Sequence, residues 1–90
     1  MSGTTRRTSN PVIIRRWTEQ RGGHPARVAA IPDGSVPRIA FGKPEAGLEL
    51  IGWDRFFEIV HKQELAFLYQ EEAEDGSASK FYKFILQEDR

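Results

Sequence analysis

The stretch from Trp53 to Glu72 most constrains the fold, because its hydrophobic period changes partway along. Its first half has apolar residues at the i, i+3, i+4 and i+7 spacing of an amphipathic helix. These residues are Trp53, Phe56, Phe57 and Val60. Gly52 is a weak N-cap for this helix, and Asp54 is favourably placed at the positive end of the helix dipole.

After Gln63 the same stretch alternates as a half-buried β-strand does. Leu65, Phe67 and Tyr69 fall on one side, and Ala66, Leu68 and Gln70 fall on the other. The pattern predicts a helix that leads directly into a strand. We expect the rest of the chain to pack around this unit.

The N-terminal half contains a tail, a helix and a hairpin. Residues 1–8 have no large apolar side chain after Met1 and predict a disordered tail. Asn10 before Pro11 is a helix start, and Arg21 before Gly22 is a helix end, which predicts a helix over 11–21. Strands are predicted over 26–31 and 36–41, joined by a Pro-Asp-Gly turn.

Residues 71–76 are rich in acids and predict an acidic turn, and the segment 79–86 after it can be interpreted in two ways. Alternation places Phe81, Lys83 and Ile85 on one face, with Tyr82, Phe84 and Leu86 on the other, and favours a hairpin partner for the strand at 65–70. Helical spacing instead groups Phe81, Phe84 and Ile85. The aromatic content favours the strand.

These elements predict one α+β domain over residues 9–90. Two helices pack on one face of a small, mainly antiparallel sheet of three or four strands. The predicted core consists of Trp17, Trp53, Phe56, Phe57, Val60, Leu65 and Phe67.

The composition limits the cellular environments and the kinds of site that are compatible with this chain. Ninety residues suffice for one hydrophobic core without a metal or disulfide. The chain has no cysteine, which excludes disulfides and cysteine-ligated zinc, and it has no long apolar run. We therefore expect a soluble, cytoplasmic protein.

The formal net charge is zero, but the charge is unevenly distributed. Residues 1–43 carry eight basic and two acidic side chains, and residues 44–90 carry five basic and eleven acidic ones. This division predicts either a basic face for an anionic partner or charge pairing between the two halves. The candidate anion or nucleic-acid contacts are Arg6, Arg7, Arg15, Arg16, Arg21, Gly22, Gly23 and Arg27.

Within that set, the glycine pair between basic residues is compatible with a backbone cradle for phosphate. A helix C-cap followed by a tight turn explains the same residues. The chain has neither P-loop spacing nor a GxGxxG motif.

Other chemistries have little support in the sequence. His24 and His61 lack metal-site spacing, the acids at 71–75 lack the spacing of a calcium loop, and no serine lies in a GxSxG motif. We therefore predict no metal, no cofactor and no enzymatic activity. Tyr69 and Tyr82, with Phe67, Phe81 or Phe84, are the candidates for a base-stacking face, although most aromatics are needed for the core.

The motifs IRRWTEQRGGHPARV at 14–28, IGWDRFFEIVHKQELAFLYQEE at 51–72 and GSASKFYKF at 76–84 resemble a family of short bacterial proteins of uncharacterised function. Some of its members carry the name glucan branching enzyme. Such catalysis needs a large barrel with a carboxylate pair, which 90 residues cannot form. The resemblance therefore implies a small domain of the same kind without that activity.

Two functional hypotheses follow. The first is a non-enzymatic adaptor that meets a protein partner through an exposed sheet edge or face. The second is a nucleic-acid-binding module that uses the basic N-terminal half, with steeply salt-dependent affinity.

Overall fold

The computed structural model of the protein describes residues 5–31, 36–42 and 46–87. These ranges contain two helices and six strands. In chain order they are β1 (Thr5–Thr8), α1 (Pro11–Gln20), β2 (Gly23–Val28), β3 (Pro37–Phe41), β4 (Leu48–Leu50), α2 (Trp53–Lys62), β5 (Leu65–Gln70) and β6 (Tyr82–Leu86). Neither helix in this part of the chain is long and apolar enough to cross a membrane.

Helix α1 begins and ends where its capping residues predict. The side-chain oxygen of Asn10 accepts a hydrogen bond from the backbone N–H of Val12 at 2.9 Å, and Pro11 occupies the first helical position. Arg21 is the C-cap, and Gly22 follows in the left-handed region with φ of 70°. Asn10 therefore satisfies a free N–H, and the glycine allows the chain to turn without steric strain.

Helix α2 and strand β5 confirm the prediction that the stretch from Trp53 to Glu72 is a helix followed directly by a strand. The helix covers Trp53–Lys62 with Gly52 as an N-cap that makes no side-chain hydrogen bond, and Asp54 lies in the first turn. Strand β5 covers Leu65–Gln70. The segment after the acidic turn is a strand rather than a helix, since Tyr82–Leu86 pairs antiparallel with β5.

Strand β1 corrects the prediction of a disordered tail over residues 1–8. Thr5–Thr8 pairs antiparallel with β5, with Thr5 opposite Gln70 and Thr8 opposite Phe67. The backbone of the largely apolar β5 needs hydrogen-bond partners on both sides. The backbone of β1 supplies them on one side, and an edge strand can do so even when its side chains are polar. Residues 1–4 lie outside the described residues.

Two further strands differ from the predicted ones. The strand predicted over 26–31 starts three residues earlier, so that His24 and Pro25 belong to β2 rather than to a turn. Pro25 accepts a hydrogen bond from the backbone N–H of Ile51 at 3.0 Å. Pro25 and Ile51 lie one residue beyond the paired segments of β2 and β4. The missing proline N–H therefore interrupts little of the hydrogen bonding between these two strands. Leu48–Leu50 forms β4, a strand that is not among the predicted elements.

The α+β class with two helices and antiparallel pairing is confirmed, but the strands form two sheets instead of one. Sheet 1 has the order β1-β5-β6 and sheet 2 has the order β3-β2-β4. The edge strands β3 and β6 meet through a side chain. The backbone N–H of Ile39 donates to the Tyr82 hydroxyl at 3.0 Å, and that hydroxyl lies 3.3 Å from the Ile39 carbonyl oxygen.

The core lies between the two sheets and the helices. Its buried cluster consists of Ile14, Trp17, Ile39, Phe56, Val60, Leu65, Phe67 and Tyr69. Of the predicted core residues, Trp53 and Phe57 are only half-buried and stack on each other at 5.2 Å. They cover the core at the start of α2.

Gly23 lies against the core, and we expect Gly23→Ala to destabilise the fold. A methyl group there would lie 2.9 Å from the side chains of Ile39 and Thr18. Overpacking of this kind costs about 1–3 kcal/mol. Urea unfolding followed by circular dichroism measures the change, and an unchanged midpoint would contradict the close packing of α1 on β2 and β3.

Gly52→Ser should have the opposite effect. A Cβ at this position has no neighbour within 4 Å, and the backbone already has N-cap geometry, with φ of −79° and ψ of 163°. A serine hydroxyl can accept a hydrogen bond from the first turn of α2, which should stabilise the protein by about 0.5 kcal/mol. Gly52→Ala is the matched control without an acceptor, and equal stabilisation by both variants would contradict the capping argument.

Candidate functional site

The structure divides the predicted basic set between internal contacts and exposed positions. Arg15 pairs with Glu19 at 3.0 Å within α1. Arg27 pairs with Glu49, which lies directly opposite it on β4. The Arg27–Glu49 pair joins the two halves of the sequence, whereas the Arg15–Glu19 pair lies within the N-terminal half. Both pairs leave less positive charge on α1 and β2 for an anionic partner.

Arg21 is held almost entirely inside the protein. Its side chain is 4% exposed and its guanidinium lies 4.4 Å from the ring centroid of Trp17. It donates hydrogen bonds to backbone carbonyl oxygens of Trp17 (2.9 Å), Glu71 (2.7 Å) and Ser79. Burial lowers the pKa of Arg21, and the nearby Glu71 carboxylate partly offsets this. Arg21 therefore connects α1 to the ends of β5 and the following turn, and it is not available to a ligand.

The glycine pair also has a structural role. The backbone N–H of Gly22 already donates to the Glu19 carbonyl oxygen at 3.1 Å, and Gly23 is buried in β2. The space beside Gly23 is filled by Ile39 and Thr18. These contacts support the helix-cap interpretation over a phosphate cradle.

The histidines and acids do not form a metal site within the described residues. His24 and His61 are both exposed. No group of three or more histidines, cysteines or acids in these ranges could hold a metal ion. In the acidic turn, Asp75 accepts hydrogen bonds from the hydroxyl and backbone N–H of Ser77, which lower the pKa of its carboxyl.

The aromatic residues predicted for a stacking face mostly point to the core. Phe67 and Tyr69 are buried, and Tyr82 and Phe84 are half-buried against the core cluster. Phe81 differs, since it is 45% exposed. The reason is strand alternation, because odd positions of β5 face the core and so do their partners at even positions of β6.

The opposite side of sheet 1 forms a second surface, which we call the outer face. Residues opposite each other in antiparallel strands share a face. The strand register, continued by the hydrogen bond from Gln70 N–H to the Phe81 carbonyl oxygen, therefore assigns eight residues to it. They are Thr5, Arg7, Ala66, Leu68, Gln70, Phe81, Lys83 and Ile85.

Arg7, Leu68 and Lys83 form one row across the outer face. Arg7 is opposite Leu68 on one side, and Lys83 is opposite Leu68 on the other. Both cations are exposed and Leu68 is half-buried. Beside this row a cavity of about 230 Å³ is lined by Arg7, Thr8, Ser9, Ala66 and Gln87.

The free edge of β6 forms the third feature. Gln87 N–H donates to the Glu64 carbonyl oxygen at 2.7 Å, so the odd-numbered residues of β6 are bonded to β5. The backbone groups of Tyr82, Phe84 and Leu86 therefore point away from β5, on the side where sheet 1 has no further strand within the described residues. A groove of about 340 Å³ along this edge is lined by Arg38, Tyr82, Lys83 and Phe84.

Sequence reasoning missed Arg38 and Lys83 as candidate binding residues. Lys83 had a signal, since alternation already placed it beside Phe81 and Ile85 on one face. Arg38 had none, because its position beside β6 depends on how the two sheets meet. Of the predicted set, Arg7 belongs to the outer face, and Arg6 and Arg16 are exposed elsewhere on β1 and α1.

Comparison of the chain with protein-family models, with curated proteins and with solved structures found no match. The resemblance to short bacterial proteins stays a prediction.

Replacing the buried guanidinium should destabilise the protein far more than replacing an exposed one. Arg21→Met removes several charge-assisted hydrogen bonds and should lower the free energy of unfolding by about 2–4 kcal/mol. Arg16→Met, an exposed position on the same helix, should change it by less than about 0.5 kcal/mol. Urea unfolding of both variants tests this, and equal effects would contradict a structural role for Arg21.

Proposed function

We propose that the protein is a non-enzymatic binding domain that recruits a protein partner by adding an extended segment of that partner to the edge of β6. The observation that supports this proposal is the free β6 edge beside the groove lined by Arg38, Tyr82, Lys83 and Phe84. Strand addition is a recurrent mode of peptide recognition, in which main-chain hydrogen bonds supply affinity and side-chain pockets supply specificity.

The apolar part of the edge indicates which side chains the partner presents. Leu86 is 66% exposed although it follows the half-buried Phe84 on the core-facing side of β6. Side chains two residues apart on a strand point to the same face. An added strand with apolar residues at alternating positions would cover both Phe84 and Leu86.

The charges of the groove indicate the rest of the partner. The Arg38 guanidinium donates to the Pro37 carbonyl oxygen at 3.0 Å, and Lys83 is exposed on β6. Neither side chain has an ion pair with another described residue. An acidic residue between the apolar positions of the partner would meet these cations. The groove presents guanidinium, ammonium and aromatic groups, which suit recognition of a peptide better than proton transfer.

Selection of short random peptides displayed on phage against the immobilised protein tests the proposal. Enriched peptides should combine alternating apolar residues with an acid. Their amide-shift changes, followed by NMR on the labelled protein, should lie in residues 82–87 and 37–39. Failure to enrich any peptide, or shifts confined to other elements, would contradict the proposal.

A matched pair of variants tests the main-chain contribution. Leu86→Pro removes a backbone N–H that points away from β5, whereas Leu86→Val keeps that N–H and an apolar side chain. We expect Leu86→Pro to weaken peptide affinity at least tenfold and Leu86→Val to change it less than threefold. Arg38→Glu should weaken binding of the acidic peptides selectively. Equal affinity for the proline and valine variants would rule out strand addition at this edge.

A further inference from the structure

We propose that the outer face of sheet 1 is a second binding surface, and that its ligand is single-stranded nucleic acid. This inference is independent of the peptide groove, although Lys83 borders both surfaces. Three features of the outer face support it: its cations, its cavity and its exposed aromatic ring.

The charge of the outer face is entirely positive. Among its eight residues Arg7 and Lys83 are charged, and none is acidic. The two cations lie on either side of β5, so their Cα atoms are separated by two strand spacings, about 9.6 Å. Neither has an ion pair with a described residue. Two separated, unpaired cations suit a ligand with repeated negative charges, such as a phosphate backbone.

The cavity beside Arg7 offers donors for one phosphate group. Its lining residues include Arg7 and Ser9, which carry a guanidinium and a hydroxyl, and Gln87, whose side-chain amide donates to the Leu65 carbonyl oxygen at 3.0 Å. Ala66, which is almost fully buried, also lines the cavity. A guanidinium beside hydroxyl donors is the chemistry that binds phosphate oxygens.

Phe81 supplies an aromatic surface on the same face. It is opposite Gln70, four residues along β5 from Ala66, which corresponds to about 13 Å. Its side chain is 45% exposed. Stacking of a base on such a ring does not depend on base identity, and in single-stranded nucleic acids the bases are free to stack.

The surroundings favour one direction for the ligand. The acidic turn, with Glu71, Glu72, Glu74 and Asp75, follows Gln70 at the Phe81 end of the face. It would repel phosphates beyond that ring. The bound nucleic acid therefore extends from a base stacked on Phe81, past Arg7 and Lys83, to a phosphate in the cavity.

This surface differs from the predicted nucleic-acid site in the N-terminal half. Three members of that predicted set, Arg15, Arg21 and Arg27, have side chains engaged in the contacts described above. Arg7 is the member of the predicted set that lies on the outer face.

Fluorescence anisotropy of the full chain with labelled single-stranded RNA and DNA of mixed sequence, about 12 nucleotides long, tests the inference. We expect binding at about 50 mM salt that weakens strongly by about 200 mM. A duplex of the same sequence should bind at least fivefold more weakly, since its bases are not free to stack. Absence of binding at low salt, or equal affinity for the duplex, would overturn the inference.

Two matched pairs of variants locate the ligand. Arg7→Gln should reduce the slope of log affinity against log salt by about 0.7, whereas Arg16→Gln, an exposed arginine on α1, should not change it. Phe81→Leu should weaken affinity about fivefold or more, and Phe81→Tyr should keep it, because only the ring provides stacking. If neither Arg7→Gln nor Phe81→Leu lowers the affinity for RNA, the inference is overturned.

Two further measurements distinguish binding of nucleic acid from binding of other polyanions, and binding at the outer face from binding at the peptide groove. Polyglutamate carries repeated negative charges without bases, and we expect it to compete at least tenfold less well than single-stranded RNA. Equal competition would identify a general polyanion surface and overturn the inference. Leu86→Pro should leave RNA affinity unchanged, so the outcome for this face does not depend on the outcome for the β6 edge.

Discussion

The packing of Trp17 and Arg21 at the end of α1 holds the two sheets in one domain. The Trp17 ring makes edge contacts with Phe67 of sheet 1 at 5.3 Å and with Phe41 of sheet 2 at 6.1 Å. Its indole N–H donates to the Gln70 carbonyl oxygen at 2.7 Å, and Arg21 donates to carbonyl oxygens on either side of the acidic turn. Two side chains of α1 thereby donate hydrogen bonds to backbone carbonyl oxygens at the end of β5. Buried carbonyl groups need such partners, because a buried group without a hydrogen bond is destabilising.

This arrangement decides which surfaces are left for binding. The inner side of sheet 1 is covered by Trp17 and by α2, so the outer face is the side on which Arg7 and Lys83 lie together. The Tyr82 hydroxyl joins β6 to Ile39 of β3 without a backbone ladder, so no strand of the described residues pairs with the β6 edge beside Arg38. The two proposed surfaces thus result from how the core is closed, and each can be altered by substituting exposed residues.

The candidate surfaces were only partly predictable. Alternation in β5 and β6 placed Leu68 and Lys83 on faces of their own strands, but it did not show that the two residues are neighbours. The arginines were predicted as one basic set from their density in the sequence. Density does not distinguish Arg7, which lies on the outer face, from Arg21, which is enclosed by carbonyl oxygens contributed by residues about 50 positions away.

Local signals in the sequence alone determined both helices, their caps, the strand at 65–70 and the α+β class, because hydrophobic period and capping chemistry act between residues a few positions apart. The tertiary structure decided the rest. Thr5–Thr8 and Leu48–Leu50 become strands because β5 and β2 offer them backbone partners, and neither segment has a strong strand pattern of its own. The division into two sheets, and the role of each arginine, depend on contacts between distant segments, which composition and periodicity do not encode.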